Sequence, residues 1–368
     1  MNDTFNQGDF KPHRIKRLVL KNIRIYGEAL FDFEDQLSVL FGPNGSGKTT
    51  VLESISILGT LKSFRSSRIY DVIRKDESHA LIEAKFDNPI QTRKIEIRER
   101  SKVLYKNGSK ENDVKKYLSN LSITCLAPDH LLLVKSGPEE RRKYLDYILF
   151  NLDDTYLDYL KRYQRAVKQK ASILKQKLSK SVYLDLVYPW EKEIALSGDY
   201  IRTQRKNILS KMLSSFQEFF AEISNKSNNK HITIDYQDTE QTILEEIQQK
   251  RDAEFYSQRV LTGAHRDDIK IYLSGSPAKD VGSQGEVSSI VLALKMTELA
   301  ILEKQWHGSP ILLLDDVGNA LDEARRTHLM GWVQKRNTQV IMTTADPQIF
   351  DLATKAGGKK LDGRRSAF

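Results

Sequence analysis

Apolar and basic residues alternate through Arg14-Ile15-Lys16-Arg17-Leu18-Val19-Leu20, and a second alternation follows at Ala29-Leu30-Phe31-Asp32-Phe33. A period of two over this length predicts short strands with one buried face. Leu37-Ser38-Val39-Leu40-Phe41 is more continuously apolar, as a strand covered on both faces would be. It stops at Gly42-Pro43-Asn44-Gly45-Ser46-Gly47, after which the apolar residues between Thr49 and Leu58 take helical spacing. The succession is strand, glycine loop, helix. Further strands are predicted at Ala80–Phe86 and Ile95–Ile97, and Lys106-Asn107-Gly108-Ser109 carries an Asn-Gly turn signal.

From about Pro138 to about Phe255 the pattern is helical. Leu160, Tyr163, Val167, Ala171, Leu174 and Leu178 step by three or four and so share one helix face. Strand pattern returns at Ile269–Leu273, a helix is predicted from Glu286 to about Glu303, and Ile311–Leu314 reads as a buried strand. Val340-Ile341-Met342-Thr343-Thr344 reads as the next strand. The expected fold class is α/β: a P-loop NTPase head formed by residues 1–137 and 258–368, with a mainly helical arm, or lid domain, inserted over 138–257.

Residues Gly42, Pro43, Asn44, Gly45, Ser46, Gly47, Lys48 and Thr49 satisfy G-x-x-x-x-G-K-[ST]. Glycines let backbone N–H groups converge on phosphate oxygens, and the helix that follows points its positive end at them. Lys48 is expected at the β and γ phosphates of ATP, Thr49 at Mg²⁺, and Thr50 beside them. Such a loop needs an acidic partner, and Ile311-Leu312-Leu313-Leu314 ends in Asp315-Asp316. Asp315 is the expected Mg²⁺-side carboxylate, and Asp316 would face the attacking water as general base or water-orienting group. Most ABC ATPases carry Glu at the second position; Asp is one methylene shorter, which predicts slow hydrolysis.

Gly282-Ser283-Gln284-Gly285-Glu286 opens the helix ahead of that acidic pair and matches the S-x-G-[QE] signature of ABC-type ATPases. Its chemistry would aim Ser283, the Gly285 amide and a helix N-terminus at the γ-phosphate held by another copy of the chain. An ATP-dependent homodimer is therefore expected, and the head is assigned to the ABC/SMC type. Ala320-Leu321-Asp322 falls at the D-loop place, and Thr343-Thr344 at the switch position.

Composition sharpens the choice of partner. The formal net charge of +9 favours a polyanion. Lys161, Arg162, Arg165, Lys168, Lys170, Lys175, Lys177 and Lys180 lie in a stretch without Asp or Glu. Lys161, Arg165, Lys168 and Lys175 share one helical face, suited to phosphate contacts without base reading, and Arg65 is a further candidate for DNA. The single cysteine, Cys125, reads as a small core residue. No apolar run approaches the roughly 20 residues that span a bilayer, and a cytoplasmic location is expected.

These motifs, in this order, resemble the RecF family, relatives of the SMC-type ABC proteins. The resemblance also rests on Leu20–Tyr26, Lys62-Ser63-Phe64-Arg65, Pro128-Asp129, Gly137–Asp146 and Gly263-Ala264-His265-Arg266-Asp267-Asp268. It implies binding at duplex DNA and gap junctions, loading of recombinase, RecO and RecR partners, and a place in recombination, replication and the SOS response to DNA damage. It also implies a Q-loop role, next to Mg²⁺, for Asp129. His265-Arg266 is expected to support the nucleotide site or head packing. The chain departs from the family at Pro43, Ala264, Glu286-Val287-Ser288 and Asn319-Ala320.

Other functions fit less well. A transporter subunit would lack the long basic arm, a nuclease-coupled ATPase needs more than the roughly fifty residues after Asp316, and an SMC-like bridge needs far longer coiled coils.

Overall fold

The computed structural model describes residues 13–33, 35–224, 230–305, 310–316 and 323–361, with the backbone of 364–365. The chain runs β1 (Arg14–Ile23), β2 (Tyr26–Asp32), β3 (Leu37–Phe41), α1 (Lys48–Thr60), β4 (His79–Asp87), β5 (Gln91–Arg98), β6 (Ser101–Lys106), β7 (Ser109–Glu111), α2 (Val114–Leu118) and β8 (Ile123–Leu126). It continues through α3 (Leu132–Lys135), α4 (Pro138–Leu152), α5 (Tyr156–Leu174), α6 (Lys180–Ile223), β9 (Ile232–Gln237), α7 (Ile243–Ser257), β10 (Asp268–Leu273), β11 (Ser276–Pro277) and α8 (Ala278–Val281). The last part holds α9 (Gln284–Gln305), β12 (Ile311–Asp315), α10 (Glu323–Gln334), β13 (Val340–Thr344), α11 (Pro347–Lys355), β14 (Lys359–Lys360) and β15 (Arg364–Arg365). No helix among the described residues is long and apolar enough to cross a membrane.

Two compact units emerge, one of Met1–Leu131, Glu222–Asn225 and Gln284–Phe368, the other of Leu132–Ala221 and Lys226–Ser283. In the first unit, a seven-stranded sheet has the order β15-β2-β1-β4-β5-β6-β7 and a five-stranded sheet the order β14-β3-β13-β12-β8. Neighbours in the first sheet are antiparallel, and those in the second are parallel. The alternating residues of β1 place Ile15, Leu18 and Leu20 in the core, while β3 is buried at four of its five positions. α1 packs against strands of both sheets and is buried continuously from Thr50 to Gly59. The Asn-Gly turn joins β6 to β7 through Lys106↔Ser109, with φ of 52° at Asn107 and 81° at Gly108, as a two-residue hairpin of the mirror-image type requires.

The second unit begins near the expected arm boundary but extends to Ser283, so residues 258–283 belong to it rather than to the head. The reason is strand pairing. β10 pairs antiparallel with β9 from Asp268↔Gln237 to Leu273↔Ile232, and β9 lies inside the segment that reads as helical in the sequence. The expected stripe on α5 is present: Tyr163 and Leu174 are buried, and Val167, Ala171 and Leu178 pack against a cluster of Ile173, Leu174, Tyr183, Val187 and Val260.

Lys170 corrects the reading of the basic run. It is fully buried and lies 3.0 Å from Glu191 and 2.5 Å from Glu254. Glu254 also accepts from the Leu261 and Thr262 amides and the Thr262 hydroxyl, and Arg251 pairs with Glu191 at 2.6 Å. Removing one partner from a buried ion cluster strands the others without solvent. Lys170→Ala is therefore expected to cost about 3–5 kcal/mol in urea unfolding, and Lys168→Ala, on the exposed face, less than about 0.5 kcal/mol.

The Gly263–Asp268 block is the hub of this unit. The Tyr163 hydroxyl accepts from the His265 amide at 3.1 Å and lies 2.6 Å from Nδ1. Gly263 has φ of 115°, and a Cβ there would come 2.5 Å from that hydroxyl. The Ala264 carbonyl accepts from Arg205, Asp267 is gripped by both ends of Arg202, and Asp268 pairs with Arg141. His265-Arg266 thus supports the packing of the second unit, not of the head. Burial, then the Arg266 and Arg142 charges, push the His265 imidazole down to about 4 from 6.5. As pH falls below 6.5 the unfolded chain takes up a proton that the folded chain refuses, so stability is lost from there down to about 4. Between pH 7 and 5 this amounts to on the order of 2 kcal/mol. Denaturant midpoints at the two pH values are expected to differ more for the wild type than for His265→Gln.

Candidate nucleotide site

The site lies at the C-terminal ends of the parallel strands, where open α/β sheets place their ligands. β3 runs into the glycine loop, β13 lies beside it, and β12 follows on the far side of β13. The register Thr344↔Phe41 and Thr343↔Leu40 on one side of β13, with Thr343↔Asp315 on the other, brings three strand ends level. The Gly42 amide donates to the Thr344 carbonyl at 3.3 Å, which ties the start of the loop to the end of β13.

Gly47 caps α1 with φ of 96°, and a Cβ there would lie 2.6 Å from both Ile25 Cδ1 and the Tyr26 hydroxyl. Only glycine fits, so the residue before Lys48 is set by backbone geometry and by space together. No side chain caps the helix, which leaves its first N–H groups to an external acceptor. Lys48 Nζ donates to the Gly42 and Pro43 carbonyls at 2.8 and 2.9 Å and so arches over the loop. Pro43, Asn44 and Gly45 are exposed or half-exposed, Ser46 is half-buried, and Thr50 is buried in the helix.

Thr49 Oγ1 donates to Asp315 Oδ1 at 2.9 Å, and Thr343 Oγ1 donates to the same oxygen at 2.8 Å. Asp315 is only 4% exposed. Burial pushes its carboxyl above the ordinary range against the two hydroxyl donors; the neighbouring Asp316 adds to the rise and the Arg65 charge opposes it. A buried carboxylate beside a threonine hydroxyl is a pair of hard oxygen donors short of positive charge. That chemistry fits Mg²⁺ held jointly with phosphates. Asp316 follows with φ of 46°, unusual for a residue with a Cβ, and its amide donates to Thr343 Oγ1 at 2.9 Å.

Beneath the loop, Glu53 of α1 is 1% exposed and takes both ends of the Arg24 guanidinium at 3.1 and 2.7 Å, with Ser63 donating to the same carboxylate. Arg65 lies 3.6 Å from Glu53. This contact sets Arg65 against α1 in the first unit, whereas Lys161, Arg165, Lys168 and Lys175 are exposed residues of the second. The basic run is partly neutralised: Arg162 pairs with Glu193 at 2.9 Å and Lys180 with Asp252 at 2.8 Å. In the signature segment Ser283 and Gln284 are exposed, and Gly285 lies in the first turn of α9. The Asp129 side chain and the segment Asn319-Ala320-Leu321-Asp322 lie outside the described residues.

Of the residues expected from the sequence, the structure places Thr49 against Asp315, with Lys48 and Asp316 next to them in the chain. Sequence reasoning placed Thr343 at the switch position and Arg24 inside the Leu20–Tyr26 block without giving either a partner, and it did not single out Glu53. Arg24 lies in the turn between β1 and β2, and nothing in the local pattern there indicates a buried glutamate one helix away.

A family model described as the RecF/RecN/SMC N terminal domain matches residues 14–363. The DNA replication and repair protein RecF of Geotalea daltonii is 30% identical over 91% of this chain and 94% of its own length. RecF of Desulfitobacterium hafniense is 32% identical over 90% of this chain and 94% of its own. Among solved structures, the recombination mediator RecF with ATP, of the RecFOR pathway, superimposes with a TM-score of 0.84 at 25% identity, covering 93% of this chain and 94% of that one. The Smc head domain of Pyrococcus furiosus, bound to the C-terminal domain of ScpA, gives a TM-score of 0.56 at 18% identity over 96% of each chain, a likeness of fold.

Proposed function

We propose, for a chain that belongs to the RecF family of DNA replication and repair proteins, an ATP-gated clamp on DNA used in recombinational repair. The observation that carries this reading is the meeting of Lys48, Thr49, Asp315 and Asp316 at level strand ends beneath an uncapped helix N-terminus. Lys48, loop amides between Asn44 and Thr49 and the Thr49 hydroxyl would take the triphosphate, and Thr49 and Asp315 would hold Mg²⁺. Mg²⁺ held there would supply positive charge to the phosphates, and Asp316 would act on the attacking water.

Ser283 and Gly285 are exposed or half-exposed at the start of α9, where they are available to a second copy. The family relationship and the RecF structure solved with ATP support ATP as the nucleotide. Bound ATP would then act as the glue of a head-to-head dimer, and slow hydrolysis would release it. Lys161, Arg165, Lys168 and Lys175 would track phosphates of a duplex or a gap junction without reading bases. The RecFOR pathway of the structural relative supports RecO- and RecR-type mediators as partners. Recombinase loading, replication-fork maintenance and a cytoplasmic, SOS-linked role belong to the same reading.

Sedimentation of the wild type and Lys48→Ala, with and without ATP-Mg²⁺ and a gapped duplex, tests it. A dimer that needs both ATP and Lys48 and that binds the duplex is expected. A wild type that binds ATP yet ignores DNA at every salt concentration would instead favour an SMC-like structural ATPase without a clamp role.

The DNA face has its own readout. Each phosphate left without its cation makes the slope of log affinity against log salt about 0.9 shallower. The quadruple variant of Lys161, Arg165, Lys168 and Lys175 to alanine is expected to bind more weakly, with a slope about 3–4 units shallower. An unchanged slope would remove α5 from the interface.

A further inference from the structure

β13 is the strand between the one that carries the glycine loop and the one that carries the acidic pair. Its last residues therefore sit where both can be touched. Thr343 is 1% exposed, and its hydroxyl has one proton and two lone pairs to place. The proton goes to Asp315 Oδ1 at 2.8 Å, and a lone pair receives the Asp316 amide at 2.9 Å. One side-chain oxygen thus holds the carboxylate of one acidic residue and the backbone of the next.

The two halves constrain each other. With the Asp316 amide on a lone pair, the hydroxyl proton is turned away from that amide and onto Asp315, so one oxygen links the orientation of the Asp315 carboxylate to the left-handed backbone of Asp316, at φ 46°. A non-glycine residue holds that backbone only where its surroundings impose it. Asp315 Oδ1 takes a second hydroxyl from Thr49, but Thr49 stands on α1 in the glycine-loop element and is itself a donor offered to the metal. Thr343 stands on β13, outside the glycine-loop element. It is the hydroxyl that can hold Asp315 in place whatever Thr49 does.

From this geometry we infer that Thr343 is a positioning residue of the ATP site: through a single hydroxyl it orients the metal-side carboxylate Asp315 and sets the backbone from which Asp316 addresses the attacking water. The inference rests on the ATPase reading given above. Its action runs through two other residues, so it makes a sharper demand than general stability would. The hydroxyl matters and the methyl does not.

The test compares Thr343→Val, which keeps shape and loses the hydroxyl, with Thr343→Ser, which keeps the hydroxyl and loses the methyl. Mn²⁺ in the nucleotide complex is followed by its paramagnetic resonance, nucleotide affinity is measured in EDTA, and kcat and KM for ATP are measured with Mg²⁺. The valine variant is expected to lose about tenfold or more in kcat and about tenfold in Mn²⁺ affinity, with nucleotide affinity in EDTA within about twofold of wild type. Serine is expected to bring both back to within about threefold of wild type. If valine fails to fold, Thr343→Ala takes its place in the same comparison.

A valine or alanine variant with wild-type kcat and Mn²⁺ affinity overturns the role of Thr343, as does a serine variant as impaired as either. A wild type that binds no Mn²⁺-ATP at all overturns the ATP-site reading itself, an outcome distinct from both.

Discussion

A carboxylate taken out of water needs donors, and the head is arranged around supplying them to Asp315. Its side chain sits at the end of a strand buried at every position, so solvent cannot serve it. Two hydroxyls from two different elements do so instead, one from α1 and one from β13. For both to reach a single oxygen, β13 has to lie between β3 and β12 with its ends in register. α1 then has to leave the glycine loop at an angle that only Gly47 permits. Strand order, loop composition and helix position thus meet at one desolvated oxygen. Even with both donors in place its proton affinity stays above normal, which leaves the site short of a cation.

The second unit solves a different version of the same problem. Its interior holds Lys170, Arg202 and Arg205, all buried, and each is met by carboxylates from other elements: Glu191 and Glu254, Asp267 and Glu246, and Asp146. Buried ion pairs add little net stability compared with apolar packing, but they punish misalignment severely. Here they tie α4, α5, α6 and α7 to the Gly263–Asp268 turn, so the helices have one set of partners that satisfies every charge. Two blocks that are far apart in sequence, Gly137–Asp146 and Gly263–Asp268, interlock through Arg141 with Asp268 and through Arg142 with the Asp267 carbonyl.

What could be read from the chain divides along the same line. The nucleotide loop was legible because its chemistry is local: a strand, six residues of loop and a helix carry the whole instruction. β1, β3, β4, β10 and β12 were legible from apolar period. β8 and β9 were not, because Ile123–Leu126 is a bare four-residue run and Ile232–Gln237 sits among helices, where period alone does not decide. With β9 unseen, the end of the inserted unit was set too early. Strand order is invisible to any local pattern; the motif order put Thr343 at the switch position, but not its bonds to both acidic residues.

Lys170 shows how a charge run can mislead and how the correction was available. Tyr163, Ala166, Lys170, Ile173 and Leu174 fall on the buried face of α5 at helical spacing, and Lys170 is simply the charged member of that face. A lysine inside an apolar stripe is buried only with partners. Glu191 and Glu254 are those partners, on helices the same stripe packs against. The acid-free stretch is therefore not a uniform cationic surface. Arg162 and Lys180 are met by acids from neighbouring helices, Lys170 faces inward, and the other exposed cations of the stretch are Lys161, Arg165, Lys168, Lys175 and Lys177, the first four along one helix face. A narrower row of charge along one helix suits a single strand of phosphates better than a broad basic patch would, because each side chain can meet one phosphate in turn.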